Sequence, residues 1–187
     1  EAIRKPEAAG AVTRFIRWGG ETPSAVNTCD FANPFNAGNF TDFGDLTATG
    51  QTTNTAHSNN VFAVGASGQG SANANLNKMT VATQGNAAQF GDATRNLTWS
   101  SGGGNRTRFL TAGVYPQANT IDIKSMASDG DSIDFGDLSS NKWGIGTASD
   151  TTRAVFCGGS DPSHSDDIEF VTILTAGNVT DFGNLTA

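Results

Sequence analysis

An all-β fold is what this sequence predicts, and three observations predict it. Glycine makes up 23 of 187 residues while apolar residues reach only 36%, a balance that suits many short elements joined by tight turns. The apolar runs are short, and none carries the 3.6-residue period of an amphipathic helix. One pattern, finally, recurs four times at nearly constant spacing, the mark of a repeat architecture.

The recurring pattern runs Gly38-Asn39-Phe40-Thr41-Asp42-Phe43-Gly44-Asp45-Leu46, with copies at 85–93, 130–138 and 177–185. Its central phenylalanines, Phe43, Phe90, Phe135 and Phe182, are 47, 45 and 47 residues apart, and each is followed by glycine: Gly44, Gly91, Gly136 and Gly183. The structural role expected of the pair is a large ring wedged between neighbouring sheets, followed by a residue free to turn. Asp45, Asp92 and Asp137 are expected to accept backbone N–H bonds in the turn.

A second block keeps the same period. Thr13–Gly20, Asn60–Gly65, Thr107–Gly113 and Thr152–Gly159 are apolar runs ending in glycine, and each reads as a buried strand before a turn. A third block alternates, most clearly at Ile168-Glu169-Phe170-Val171-Thr172-Ile173. The fourth segment, rich in Ser, Thr and Gly, covers Gln51–Asn59, Leu97–Gly104 and Lys142–Ser149. Its low hydrophobicity suggests an outer edge strand.

Four strands per unit of this length indicate a β-propeller of four blades, each of four antiparallel strands. A single domain over 1–187 is expected, with units of roughly 13–60, 61–106, 107–151 and 152–187 plus 1–12. The fourth unit lacks its poorer segment, so the N-terminal residues are expected to supply that strand and close the ring. Two chains forming one eight-bladed ring, or further blades in a longer chain, share the same blades and stay open.

The formal net charge of −7 and the absence of any Lys/Arg run argue against nucleic acid as a partner. No stretch has the length of apolar sequence that membrane insertion requires. Cys29 and Cys157 are too few for a disulfide framework, and two small buried thiols is the reading preferred over a bridge.

No catalytic residue stands out. Carboxylates are plentiful but recur with the fold, so no pair is marked for glycoside hydrolysis. Asp129-Gly130-Asp131 and Asp161 with Asp166-Asp167 lack EF-hand spacing, and His57 and His164 have no zinc-spaced neighbour, so surface histidines are expected. The chain reads as a non-enzyme with no metal site and no cofactor. Recognition is expected in the loops that differ most between units, at 21–26, 67–73, 114–119 and 160–167. Trp18, Tyr115, Asp161 and Asp166 are the candidate ligand-binding residues, the two aromatics as platforms for a sugar ring.

The motif Gly-Asn-x-Thr-Asp-Phe-Gly with its Thr-Arg-x-Val-Phe-x-Gly-Gly strands, clearest at 177–187 and 153–159, resembles kelch-like propeller repeats of tailed bacteriophages, notably marine and cyanobacterial ones. The resemblance covers Thr13–Ala187 and is weakest in the second unit, where Gln89 and Ala93 depart from the pattern. It implies a structural or adhesive module on a virion or tail appendage, assembled in the host cytoplasm, with other virion proteins or a host surface glycan as partners. A homo-oligomer is compatible with it. A free carbohydrate-binding lectin is the alternative.

Overall fold

A computed structural model describes residues 7–11, 13–48, 55–66 and 74–186. They form four antiparallel four-stranded sheets arranged as a four-bladed β-propeller, with no helix among them. Blade 1 holds β1 (Glu7–Gly10), β2 (Phe15–Glu21), β3 (Ala25–Ala32) and β4 (Thr41–Asp45). Blade 2 holds β5 (Ala56–Ser58), β6 (Phe62–Ala66), β7 (Asn75–Thr80) and β8 (Ala88–Asp92). Blade 3 holds β9 (Ser101–Gly104), β10 (Arg108–Ala112), β11 (Ala118–Ser125) and β12 (Ile133–Lys142). In blade 4, β13 (Gly146–Ser149) and β14 (Arg153–Cys157) are followed by a small hairpin, β15 (Ser160–Asp161) and β16 (Ser163–His164). Its sheet is completed by β17 (Asp167–Thr172) and β18 (Thr180–Asn184).

Two expectations about strand order are corrected. The Ser/Thr/Gly-rich segment is the first strand of the following blade, not the outer strand of its own unit, so the sheets are offset by one strand from the sequence units. These strands face inward: β1, β5, β9 and β13 pack on one another in succession. Their composition follows from crowding. A Cβ on Gly102 would run into Thr55 and Phe109, and one on Gly103 into Thr147, so only minimal side chains let the sheets converge. Short polar groups then bond between neighbouring inner strands, as where Ser149 Oγ accepts from the Gly104 N–H (2.9 Å) and donates to the Gly104 carbonyl (2.8 Å). In β9 low hydrophobicity reflects small size rather than exposure, while β13 is mostly exposed.

The second correction concerns the N-terminus. Strand β1 pairs with β2 of its own blade, Ala9 opposite Ile16 and Glu7 opposite Trp18. It donates nothing to the last sheet.

Outward from the centre the sheets splay, and the recurrent phenylalanines fill the widening space. Each outer strand carries a β-bulge at the Phe. Cys29 lies opposite Gly44 and Asp30 opposite Asp42, so Phe43 is the extra residue. Phe90, Phe135 and Phe182 are extra in the same way. The bulge turns the ring out of the pleat toward the next blade, and Phe43, Phe90 and Phe135 are buried there. The glycine that follows has positive φ, 144° at Gly44 and 123° at Gly91. A Cβ at either would overlap the carbonyl of the next blade's Gly85 or Gly130. Backbone conformation and close approach both demand glycine.

The Gly-Asn end of the motif supplies the other half of the joint. The Gly85 N–H donates to the Phe43 carbonyl and the Ala87 N–H to the Asp45 carbonyl, both at 2.8 Å, while Asn86 Oδ1 accepts the Asp45 N–H at 3.1 Å. Gly130, Ser132 and Asp131 repeat this against Phe90 and Asp92. Gly177, Val179 and Asn178 repeat it against Phe135 and Asp137. Blades 2, 3 and 4 thus each insert a Gly-Asn plug (Gly130-Asp131 in blade 3) into the Phe-Gly-Asp socket of the blade before it. The motif's acid acts differently from the expectation: it is Asp134 and Asp181, preceding the Phe, that accept the N–H of Gly136 and Gly183.

A further side chain crosses each joint. Asn77 Oδ1 accepts from both the Thr47 N–H (3.0 Å) and its hydroxyl (2.7 Å), and Asp122 plays the same part for Thr94. Burial pushes the Asp122 carboxyl above its usual range, against the bonds from Thr94 and the charge of Arg95. The folded state therefore keeps this proton at pH values where the unfolded chain has released it, and stability falls as pH rises through that interval. Since Asn77 makes the same bonds uncharged, Asp122→Asn is expected to raise the melting temperature at pH 7. Near pH 3, where both side chains are neutral, thermal melts should show little difference.

Candidate functional site

Strand connections alternate between the two faces of the propeller, because within each four-stranded sheet neighbouring strands follow one another along the chain, the β15–β16 hairpin lying in the β14–β17 connection. One face gathers the β8–β9, β10–β11 and β12–β13 connections with the β15–β16 hairpin. There Trp99, Tyr115 and Trp143 form a cluster. The Trp143 ring meets Trp99 edge-on at 5.2 Å and Tyr115 at 5.9 Å between centroids. Trp143 is half-buried, whereas Trp99 and Tyr115 are 40% and 51% exposed. Such rings offer an apolar face to a ligand and a polar tip to water.

Backbone bonds fix the three connections to one another. The Tyr115 N–H donates to the Thr98 carbonyl at 2.8 Å, and the Gly144 N–H to the Trp99 carbonyl at 3.1 Å. Trp143 and Ser160 exchange two bonds, 3.3 and 3.1 Å, which ties the β15–β16 hairpin to the cluster. Trp99 has a φ of 59°. A bulky side chain in the left-handed region is uncommon and persists where the surroundings impose it. Beside it opens a cleft of about 400 Å³, lined by Trp99, Ser100, Ser101, Gly102, Gly144 and Thr147 among others. Aromatic surface beside convergent hydroxyl and backbone groups is the usual make-up of a small-ligand site.

The candidate residues fare unequally. Tyr115 belongs to the cluster. Asp161 lies on β15, next to the Ser160 that bonds Trp143. Asp166 is exposed, and its backbone carbonyl accepts the Leu185 N–H at 2.7 Å. Trp18 is no surface platform: it is 2% exposed, in the core between blades 1 and 2, with its indole against Gly65. Trp18 lies on the face of β2 that packs against blade 2, so its ring is covered, whereas Phe15 of the same strand is 40% exposed. The loop at 67–73 lies outside the described residues.

Trp99 and Trp143 were not singled out from the sequence. Each follows its Phe-Gly motif by a similar interval, nine residues after Phe90 and eight after Phe135, and that shared offset was the available signal.

The acidic clusters do structural work. Asp129 is paired with Lys78 at 2.6 Å, and the hydrogen bond and charge of that lysine hold its carboxyl below the usual range. Asp131 Oδ1 accepts the Asp92 N–H, and Asp167 pairs with Lys142 at 2.8 Å. His57 is half-buried on an inner strand, not on the surface: its ring stacks on Phe109 and its Nε2 meets the Asn105 carbonyl at 2.9 Å. Burial lowers its pKa. His164 is exposed. Cys29 and Cys157 are both free thiols; Cys29 is buried, which raises its pKa to about 12, and Cys157 is half-buried.

A larger groove, about 700 Å³, lies on the opposite face between blades 3 and 4. Its cations are already engaged. The Lys124 ammonium donates to the carbonyls of Ser125 and Ser128 and sits over the Phe90 ring, and the Arg108 guanidinium donates to the Ile173 carbonyl at 2.7 Å.

No family model matches the chain, and no curated protein matches it.

Proposed function

We propose that this protein is a non-enzymatic adhesive module whose Trp99–Tyr115–Trp143 face contacts a glycan on a host surface. The exposed aromatic cluster beside the hydroxyl-lined cleft carries the reading. A sugar ring lays its apolar C–H face on such rings and turns its hydroxyls to neighbouring polar groups. The setting on a phage particle rests on the repeat's resemblance to virion propellers. A free lectin uses the same chemistry. Among the described residues, however, this cluster is found once rather than once per blade, which favours a single contact site on a larger scaffold.

A glycan array followed by calorimetric titration of the best ligand tests the reading. Trp99→Ala and Tyr115→Ala are each expected to weaken binding about tenfold or more, the scale of an aromatic hot spot, with the melting temperature nearly unchanged. A glycan whose affinity survives both substitutions would place the contact elsewhere.

A further inference from the structure

Three plug-and-socket joints hold the four blades, yet the chain carries the parts of a fourth. The socket of blade 4 consists of Phe182 and Gly183 on β18 and Leu185 just past it, with Val155 and Cys157 behind them. The plug of blade 1 is Gly38-Asn39-Phe40, with Phe15 behind it. Both halves keep the Gly-Asn and Phe-Gly pairs of the formed joints, with Phe40 where those have Ala87, Ser132 and Val179, and Asn184 where they have Asp45, Asp92 and Asp137.

Among the described residues nothing occupies either half. Phe182 is 57% exposed, against 2%, 1% and 4% for Phe43, Phe90 and Phe135. Leu110 and Ala112, which occupy in blade 3 the places of Val155 and Cys157, are fully buried, whereas Val155 and Cys157 are only half-buried. A Cβ at Gly183 would meet nothing within 4 Å, although the same probe at its counterparts Gly44, Gly91 and Gly136 strikes the next blade's backbone. The Phe182 carbonyl receives no counterpart of the bonds that Gly85, Gly130 and Gly177 donate. Three apolar clusters fill the three joints, and among the described residues none spans blades 4 and 1. Phe15 and Phe40, 40% and 47% exposed, pack edge-on against each other on the open flank of blade 1.

We infer that these flanks are docking surfaces for a second copy of this chain, the plug of each copy entering the socket of the other. The interface is continuous with one already built three times: the same backbone donors meet the same carbonyls, and Phe40 takes the place that Ala87 and Val179 hold in the formed joints. Two such contacts related by one twofold axis close a ring of eight blades and leave no open flank, as symmetric assemblies require. Association buries the exposed Phe15, Phe40, Phe182 and Leu185, the type of side chain that makes an unpaired face costly in water.

Light scattering coupled to gel filtration, over a range of concentrations, tests this. The intact chain is expected at twice its 19.3 kDa mass. Phe182→Asp, which spoils every socket, and Phe40→Asp, which spoils every plug, are each expected to run as single chains with unchanged circular dichroism. Mixing the two variants should restore a two-chain species of lower affinity, since a sound plug then meets a sound socket. A single-chain mass for the intact protein at all concentrations overturns the inference. So does a dimer that survives both substitutions, a larger open assembly, or a mixture that stays monomeric.

Discussion

Replacing Phe43 by alanine is expected to lower the unfolding free energy by about 3–5 kcal/mol, the cost of emptying a buried aromatic site. The ring lies at 2% exposure in the joint between blades 1 and 2, edge-on to Phe31 at 5.7 Å and beneath the Arg14 guanidinium. The matched substitution Phe182→Ala removes the same ring from the same bulge where it is 57% exposed. At concentrations low enough to keep the chain single, it should cost no more than about 0.5 kcal/mol, the range of ordinary surface changes. Urea denaturation of the pair separates burial from the motif itself. Equal losses would mean that the phenylalanine acts through the bulge and not by filling the joint.

Lys142→Ala is expected to be of similar size. The lysine side chain is 2% exposed, and its ammonium donates to Asp167 Oδ2 at 2.8 Å and to Glu169 Oε2 at 3.2 Å. Glu169, itself 5% exposed, also accepts the Ser139 N–H across the joint between blades 3 and 4. Removing the cation leaves a buried carboxylate uncompensated, which costs about 3–5 kcal/mol. The pH dependence has two limits. Burial alone would lower the Lys142 pKa, but the bonds to Asp167 and Glu169 raise it, so its contribution persists at neutral pH and fades as pH climbs through the raised value. The hydrogen bonds from Lys142 and Ser165 hold the Asp167 carboxyl below its usual range, so that contribution fades as pH falls through the lowered value. Melting curves of the intact chain and the variant should differ most between those limits. A constant difference down to strongly acid pH would refute the ion-pair account.

The repeat made most of this fold readable. Recurrent Phe-Gly pairs located every outer strand, and the apolar runs located β2, β6, β10 and β14, because packing between blades demands the same residues in each unit. Hydrophobicity failed at the centre, where space rather than solvent selects the residue. The run Ser101-Gly102-Gly103-Gly104 resembles an exposed edge and is in fact an inner strand with no room for a Cβ at any of its three glycines. Trp18 misled for a related reason: a ring near a variable loop suggests a platform, but the joint with blade 2 hides it. The aromatic cluster was only half legible. Tyr115 could be found from its loop, whereas Trp99 and Trp143 come from connections 44 residues apart in sequence and are joined only by the turn geometry of two successive blades.

Because β1 completes its own sheet, each blade is built from one uninterrupted stretch of chain. A blade can therefore assemble as it emerges during synthesis and offer a finished platform to the next, without waiting for a distant segment to return. The same continuity makes the gene extensible. Duplicating one unit adds a blade whose two flanks already fit its neighbours, and no existing strand has to change partners.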